Sequence, residues 1–207
     1  MKITLLTVGK TDKDWVKAGM EIYIDRLRHY INFSLVEIPE LKKVSALSKE
    51  QIKTKEGELI LKNIRSTDDV ILLDEHGKTF TSMEWASVIE NKISGGSARD
   101  IVFVIGGAYG FSREVYDRSN SMISLSKMTF SHQMVRAIFV EQLYRAFTII
   151  KGELAKPKFP LMNSDWSFGR FTPARLNTKS ASAHQSSSSS GIELRSYSKT
   201  SSTDGAA

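Results

Sequence analysis

Apolar and polar segments alternate over residues 1–153, and their spacing predicts strands and helices in turn. Short apolar runs that end at a glycine, a proline or a charged turn are typical of strands; they span 3–8, 33–38, 70–73, 101–105 and 123–125. Stretches with apolar residues three and four positions apart are typical of amphipathic helices; they cover about 15–27, 48–64, 82–93 and 133–150. This order predicts an α/β domain with a mostly parallel sheet and helices on both faces.

The start of the first helix carries two specific expectations. Asp12 or Asp14 is expected to cap it, because a short acidic side chain accepts hydrogen bonds from the free N–H groups of the first turn. Trp15 is expected on the buried face of the same helix, together with Val16 and Met20.

The chain changes character after residue 153. Three of its four prolines and a serine-rich run at 180–191 lie beyond that point. Such a composition buries too little apolar surface to offset the entropy lost on ordering. We therefore predict a folded domain at 1–153 and a disordered tail at 154–207.

The net charge of +6 is unevenly distributed. The segment 154–207 carries seven basic and three acidic side chains, so it contributes most of the charge. The basic balance is therefore weak evidence that the domain binds RNA.

Composition also excludes several classes of protein. Cysteine is absent, so disulfides and thiolate metal sites are excluded. No apolar run approaches the roughly 20 residues of a membrane helix, and the N-terminus lacks the small-residue cleavage site of a secretory signal. A cytoplasmic protein is expected.

Ligands of parallel sheets bind at the carboxyl ends of the strands, so the chemistry is expected at 73–77, 106–111 and 125–132. The turn Ile105–Gly110 (IGGAYG) lets the backbone approach a ligand closely. It lacks the GxGxxG spacing of dinucleotide sites and the lysine of a P-loop. On its own it is equally compatible with a tight structural turn.

The segment Leu125–Arg136 offers backbone N–H and C=O groups that can bracket an adenine or a methionyl group. The alternative is a simple connector in which Ser131 caps the following helix. Residues 74–78 (DEHGK) suggest a metal or acid–base site, but matching ligand spacing is absent, and an exposed turn is the better interpretation.

The last predicted helix places polar residues four apart. Glu141 and Arg145 have the order that favours a helix ion pair on a solvated face. His132 and Arg136 share another face. Arg136 lies in the first turn, where a cation opposes the helix dipole, and this suggests that it meets an anion, either an RNA phosphate or a carboxylate.

Four segments together resemble the RlmH family, ribosomal-RNA methyltransferases of the SPOUT class: MKITLLTVGK, VILLDEHGK, IGGAYG and SLSKMTFSHQMVRAIFVEQLYRAFTIIKGE. The resemblance covers residues 1–153. It implies a C-terminal trefoil knot, S-adenosylmethionine as the cofactor, and methylation of N3 of a pseudouridine in 23S rRNA within the ribosome. It also implies a homodimer whose active site lies near the subunit interface and uses no metal.

The resemblance further assigns residues. Those aligned with the family's cofactor-binding positions are Leu73, Gly106, Leu125, Ser126, Lys127, Met128, Thr129 and Phe130. Those aligned with polar positions near the pocket or interface, and therefore catalytic candidates, are His132, Arg136, Glu141 and Arg145.

The end of the domain departs from the family. Members close with a motif similar to GEPYHH, whereas this chain continues from Glu153 with Leu154, Ala155 and Lys156. The Tyr-His pair is missing. This leaves an alternative function, a SPOUT domain that binds RNA or the ribosome with weakened or lost catalysis.

Overall fold

The computed structural model describes residues 1–41, 44–95 and 99–153. The disordered tail predicted at 154–207 lies outside these residues. The strands are β1 (Lys2–Val8), β2 (Asn32–Ile38), β3 (Asp69–Lys78), β4 (Ile101–Ile105) and β5 (Ser121–Ile123). The helices are α1 (Asp14–Leu27), α2 (Lys49–Lys62), α3 (Ser82–Ser94), α4 (Arg113–Arg118) and α5 (Met134–Ile150).

All five strands pair in parallel, in the order β2-β1-β4-β3-β5. Residues of β1 alternate between two cores, so that Ile3 and Leu5 pack on one face of the sheet and Leu6 and Val8 on the other. Helices α1, α3 and α5 cover the first face, and α2 and α4 cover the second. The predicted α/β fold with helices on both faces is therefore confirmed, while the threading of a knot stays a prediction.

Two helices begin with reciprocal caps that the sequence encodes locally. Ser48 and Gln51 form a capping box at the start of α2, and Thr81 and Glu84 form one at the start of α3. In each case the cap side chain accepts an N–H of the first turn, and the third helical residue accepts the N–H of the cap.

The expectations for α1 were wrong in two respects. Its capping position is Lys13, which makes no side-chain cap bond, and Asp14 lies in the first turn instead. Trp15 is 63% exposed. The buried positions of α1 are Val16, Met20, Ile24 and Leu27, and Trp15 lies about 100° from the nearest of them around the helix.

The acidic segment 74–78 was predicted as an exposed turn, but it continues β3. Lys78 pairs with Ile123 after a register shift, and Ser124 N–H donates to the Lys78 carbonyl at 2.9 Å. Because β5 is only three residues long, this extension gives it a second set of contacts. Helix α4 was not predicted, since six residues are too few to display a helical period.

Strand register brings three carboxyl ends together. Leu73 of β3 lies opposite Ile105 of β4 and also opposite Ile123 of β5. The turns that leave these strands therefore begin at one edge of the sheet. None of the helices in the described ranges is long and apolar enough to cross a membrane.

Candidate functional site

A cavity of about 420 Å³ opens where β3, β4 and β5 end. The ends of the strands line it, as do the glycine turn after β4 and the loop that joins β5 to α5. Its size lies within the usual range for small-molecule sites, and the carboxyl edge of a parallel sheet is where such ligands bind.

Most residues predicted to bind the cofactor line this one cavity: Leu73, Gly106, Leu125, Ser126, Met128, Thr129 and Phe130. Lys127 is the exception, because it is exposed and is not part of the lining. The resemblance did not assign further lining residues, among them Asp74, Ile105, Gly107, Ala108, Phe111 and Ser124. All but Ile105 and Ser124 lie within the segments 73–77 and 106–111, where the chemistry was expected. They lie within a few residues of a strand end, and this position is the sequence signal that identifies them.

The glycine turn after β4 is both a structural turn and part of the lining. Gly110 adopts a φ of 79°, and its N–H donates to the Gly107 carbonyl at 3.3 Å. A Cβ at Gly107 would lie 2.5 Å from the Glu56 carboxylate of α2. A side chain at position 107 would therefore require the Glu56 carboxylate to move.

Internal hydrogen bonds hold the loop that leaves β5. The Ser124 hydroxyl donates to the Ser126 carbonyl at 2.9 Å, and the Ser126 hydroxyl accepts the Met128 N–H at 2.9 Å. These bonds fix the backbone so that its remaining polar groups are organised before a ligand arrives. Beyond them, the side chains of Met128 and Phe130 are 75% and 39% exposed.

Ser131 was predicted to cap α5, but the capping position is Gln133, which makes no side-chain cap bond. Ser131 lies two residues earlier and binds the first turn of the helix. Its hydroxyl accepts the Met134 N–H at 3.3 Å, and its carbonyl accepts the Val135 N–H at 3.0 Å. The next residue, His132, is exposed and lines the cavity.

Asp74 places a carboxylate in the lining. Its side chain is only 9% exposed, and it accepts hydrogen bonds from the Tyr116 hydroxyl at 2.6 Å and from the His76 N–H at 2.9 Å. Burial, reinforced by the bond to Asp74, raises the pKa of Tyr116 to about 12. Tyr116 therefore remains a neutral donor at physiological pH.

Arg136 is fully buried. The suggestion that its guanidinium meets an RNA phosphate was therefore wrong. Its guanidinium donates to the Val8 carbonyl at 2.7 Å, the Thr11 hydroxyl at 3.0 Å and the His132 carbonyl at 3.1 Å. The anion it approaches is the carboxylate of Glu37, at 3.7 Å. Burial lowers the pKa of Arg136, and the nearby Glu37 charge opposes that shift.

These hydrogen bonds make Arg136 a link between two parts of the domain. It joins the end of β1 and the following turn to the first turn of α5, whose preceding loop lines the cavity. The Gln133 side chain reinforces this junction by donating to the Lys10 carbonyl at 3.0 Å.

Glu141 and Arg145 form the ion pair expected from their spacing, with 2.7 Å between Oε1 and Nη2. Gln142 also donates to Glu141, at 2.6 Å. Neither Glu141 nor Arg145 lines the cavity in this chain. In the described residues, no group of His, Asp and Glu side chains is arranged to hold a metal ion.

Comparison with known proteins identifies the family of this chain. A family model described as a predicted SPOUT methyltransferase matches residues 1–154. A protein of Christiangramia forsetii named ribosomal RNA large subunit methyltransferase H is 56% identical over 153 residues, which cover 74% of this chain and 97% of the relative. Proteins of the same name are 55% identical in Phocaeicola vulgatus, over 72% of this chain and 95% of the relative, and 50% identical in Flavobacterium johnsoniae, over 74% and 97%.

The match extends through every strand and helix described above and ends where the composition of the chain changes. The chain belongs to the RlmH family of SPOUT methyltransferases.

Proposed function

We propose that this protein uses S-adenosylmethionine to methylate N3 of a pseudouridine in 23S rRNA within the ribosome, in the cytoplasm. The observation that carries the proposal is that seven residues assigned to the cofactor by the family resemblance line one and the same cavity. The relatives' shared name, a methyltransferase of large-subunit ribosomal RNA, supports the substrate.

The residues of the cavity fit this cofactor chemically. Leu73, Ile105 and Leu125 offer apolar surface for an adenine ring, and the loop after β5 offers backbone donors and acceptors for its edge. Asp74 and Glu75 offer carboxylates for ribose hydroxyls or a cationic amine. When bound, S-adenosylmethionine supplies an electrophilic methyl group on a positively charged sulfur.

The protein's part in the reaction is mainly placement. The loop from Ser124 to Met128 is held by its own hydrogen bonds, and Arg136 anchors the helix that follows it. Holding two reactants in line can lower a barrier by about 7–11 kcal/mol. His132 lies at the cavity and is exposed, so it is the predicted catalytic candidate best placed to contact a substrate.

The same proposal includes a homodimer. Met128 and Phe130 are large, exposed apolar side chains beside the cavity, and a second subunit would cover them as the family arrangement implies. Light scattering on the purified full chain should give twice the monomer mass. A mass of one chain at micromolar concentration would contradict this part of the proposal.

Cofactor binding is tested by calorimetry with S-adenosylmethionine. Leu125→Ala should weaken binding by about tenfold or more, because it removes apolar surface from the cavity wall. Leu61→Ala is the matched control, since Leu61 is also half-buried but lies in α2 and does not line the cavity. Equal losses in both variants, or binding of NAD instead, would contradict the assignment.

Methyl transfer is tested on ribosomes lacking the modification, with the product identified by mass spectrometry. The full chain should form N3-methylated pseudouridine. A matched chain that ends in the family motif after Glu153 measures what the altered C-terminus costs. Ribosome binding without transfer by the present chain, with transfer by the matched chain, would favour the alternative of a binding domain with lost catalysis.

A further inference from the structure

The cavity at the carboxyl edge of the sheet is acidic. The carboxylates of Asp74 and Glu75 line it. No lysine or arginine is among its lining residues, all of which belong to the described part of the chain. Sites for phosphate-bearing nucleotides commonly use such basic side chains to meet the phosphates. The charge of this cavity therefore suits a cationic ligand.

Asp74 occupies the centre of this lining. It follows Leu73, which lies opposite Ile105 of β4 on one side and Ile123 of β5 on the other. Because β3 lies between β4 and β5 in the sheet, the glycine turn and the loop after β5 begin on the two sides of Asp74. A ligand that contacts both of these segments passes close to the Asp74 carboxylate.

The negative charge of Asp74 is held in place without being cancelled. The Tyr116 hydroxyl and the His76 backbone N–H, which donate to this carboxylate, are neutral groups. The His76 imidazole lies 3.2 Å from Oδ1, but it is 76% exposed and therefore screened by solvent. The Asp74 side chain is only 9% exposed, and a charge shielded from water acts on its neighbours more strongly.

S-adenosylmethionine and the product that remains after methyl transfer differ in charge at one atom. The sulfur of S-adenosylmethionine is positively charged, whereas the sulfur of S-adenosylhomocysteine is neutral. The adenine, ribose and amino acid groups are the same in both molecules. A protein contact to the ribose or the amine therefore stabilises both ligands equally, but a negative charge beside the sulfur stabilises only the first.

We propose that the Asp74 carboxylate makes the cavity selective for the cationic cofactor over the neutral product. The inference rests on the proposed function, because it concerns the same ligand in the same cavity. It makes Asp74 a specificity-determining residue. The attraction to Asp74 disappears once the methyl group and the positive charge have left the sulfur, so the product dissociates more readily than the cofactor.

The test is calorimetry of the full chain with three ligands: S-adenosylmethionine, S-adenosylhomocysteine and sinefungin, an analogue that carries an ammonium group in place of the charged methyl-sulfur group. Two unit charges roughly 10 Å apart, at an effective dielectric constant of about 20, change an affinity by about tenfold. Asp74→Asn removes the charge and keeps the shape of the side chain. It should weaken binding of the two cationic ligands about tenfold and of S-adenosylhomocysteine less than about twofold. Equal losses for all three ligands would overturn the proposal, because they indicate a contact to the ribose or the amine.

Matched variants separate charge from shape and burial. Glu75→Gln removes a carboxylate from the same cavity, but the Glu75 side chain is 74% exposed, so the ratio of the two affinities should change less than about twofold. Asp74→Glu keeps the charge and should keep most of the wild-type ratio. If Asp74→Asn does not fold, as judged by circular dichroism, Asp74→Ser also removes the charge and is judged by the same ratio.

Inhibition of methyl transfer gives a second readout. At one saturating cofactor concentration, S-adenosylhomocysteine should halve methyl transfer to ribosomes by Asp74→Asn at a concentration about tenfold lower than for the wild type. An unchanged inhibitory concentration would contradict the selectivity. If the wild type binds none of the three ligands, the proposed function fails together with this inference. If the wild type binds them and Asp74→Asn keeps its affinity ratio, only the inference about Asp74 fails.

Discussion

Replacing Arg136 with methionine should destabilise the domain while preserving the volume of the side chain. Arg136 has no exposed surface, and its guanidinium donates to three acceptors, one at the end of β1, one in the turn that follows β1 and one in the turn before α5. Breaking a buried ion pair typically costs about 3–5 kcal/mol. We expect a smaller loss of stability from leaving Glu37 without its partner, because the Glu37 side chain is 29% exposed and still accepts two hydrogen bonds from Thr11.

The rest of the lost stability comes mainly from the Val8 carbonyl, which is buried and accepts the shortest of the Arg136 hydrogen bonds. Leaving such a group without its donor costs about 1–3 kcal/mol. Together with the weakened pair, we expect Arg136→Met to lower the free energy of unfolding by about 2–4 kcal/mol. Arg136→Lys should recover only part of this stability, because one ammonium group cannot reach all three acceptors that the wider guanidinium contacts.

The assay is urea denaturation of the full chain, followed by far-ultraviolet circular dichroism and extrapolated to water. A double-mutant cycle with Glu37→Gln isolates the charge interaction from the backbone bond. A change of less than about 0.5 kcal/mol in Arg136→Met, the range of ordinary surface substitutions, would refute the view that Arg136 joins β1 to α5. Full stability combined with lost ribosome binding would instead restore the phosphate interpretation.

Two further predictions follow from the geometry. Gly77→Ala should weaken S-adenosylmethionine binding measured by calorimetry, because its Cβ would lie 2.4 Å from the backbone of Ile123 and displace the end of β5, which lines the cavity. Gly19→Ala, with open space around its Cβ, should leave binding unchanged and stabilise α1 by about 0.5–1 kcal/mol. The hydrogen bond to Glu153 raises the pKa of Tyr30 to about 12, so the stability from this bond should be present below pH 10 and be lost as the pH rises through 12. Ultraviolet titration should show that Glu153→Gln shifts one tyrosine to a lower pKa, and an unchanged titration would contradict the assignment.

The sequence predicted the fold class because each layer of the domain has its own local signal. The five parallel strands are apolar runs, and α2 and α3 begin with capping boxes that are complete within four residues. The expected place of the chemistry has a related reason. Residues that follow parallel strands meet at one edge, so the segments that begin at residues 73, 106 and 125 line one cavity. The assignment of Leu73, Gly106 and Leu125 to the cofactor came from the family resemblance.

The local sequence pattern gave wrong predictions where the structure depends on residues distant in the chain. The segment 74–78 has the composition of a turn, yet it pairs with β5, which begins more than 40 residues later. Trp15 is a large apolar residue of the kind expected in a core, yet it lies beside the row of buried residues of α1 and is exposed. Periodicity fixes which residues share a helix face only to within about one position.

The sequence by itself therefore determined five strands, four of the five helices, the parallel sheet and the edge at which the cavity forms, because these depend on periodicity and on the order of the elements. Only the tertiary structure decided the role of Arg136. The sequence left an RNA phosphate and a carboxylate as alternative partners, and contacts with the end of β1 bury the guanidinium close to the Glu37 carboxylate. Whether a charge is satisfied depends on which distant groups surround it, and no local pattern of residues contains that information.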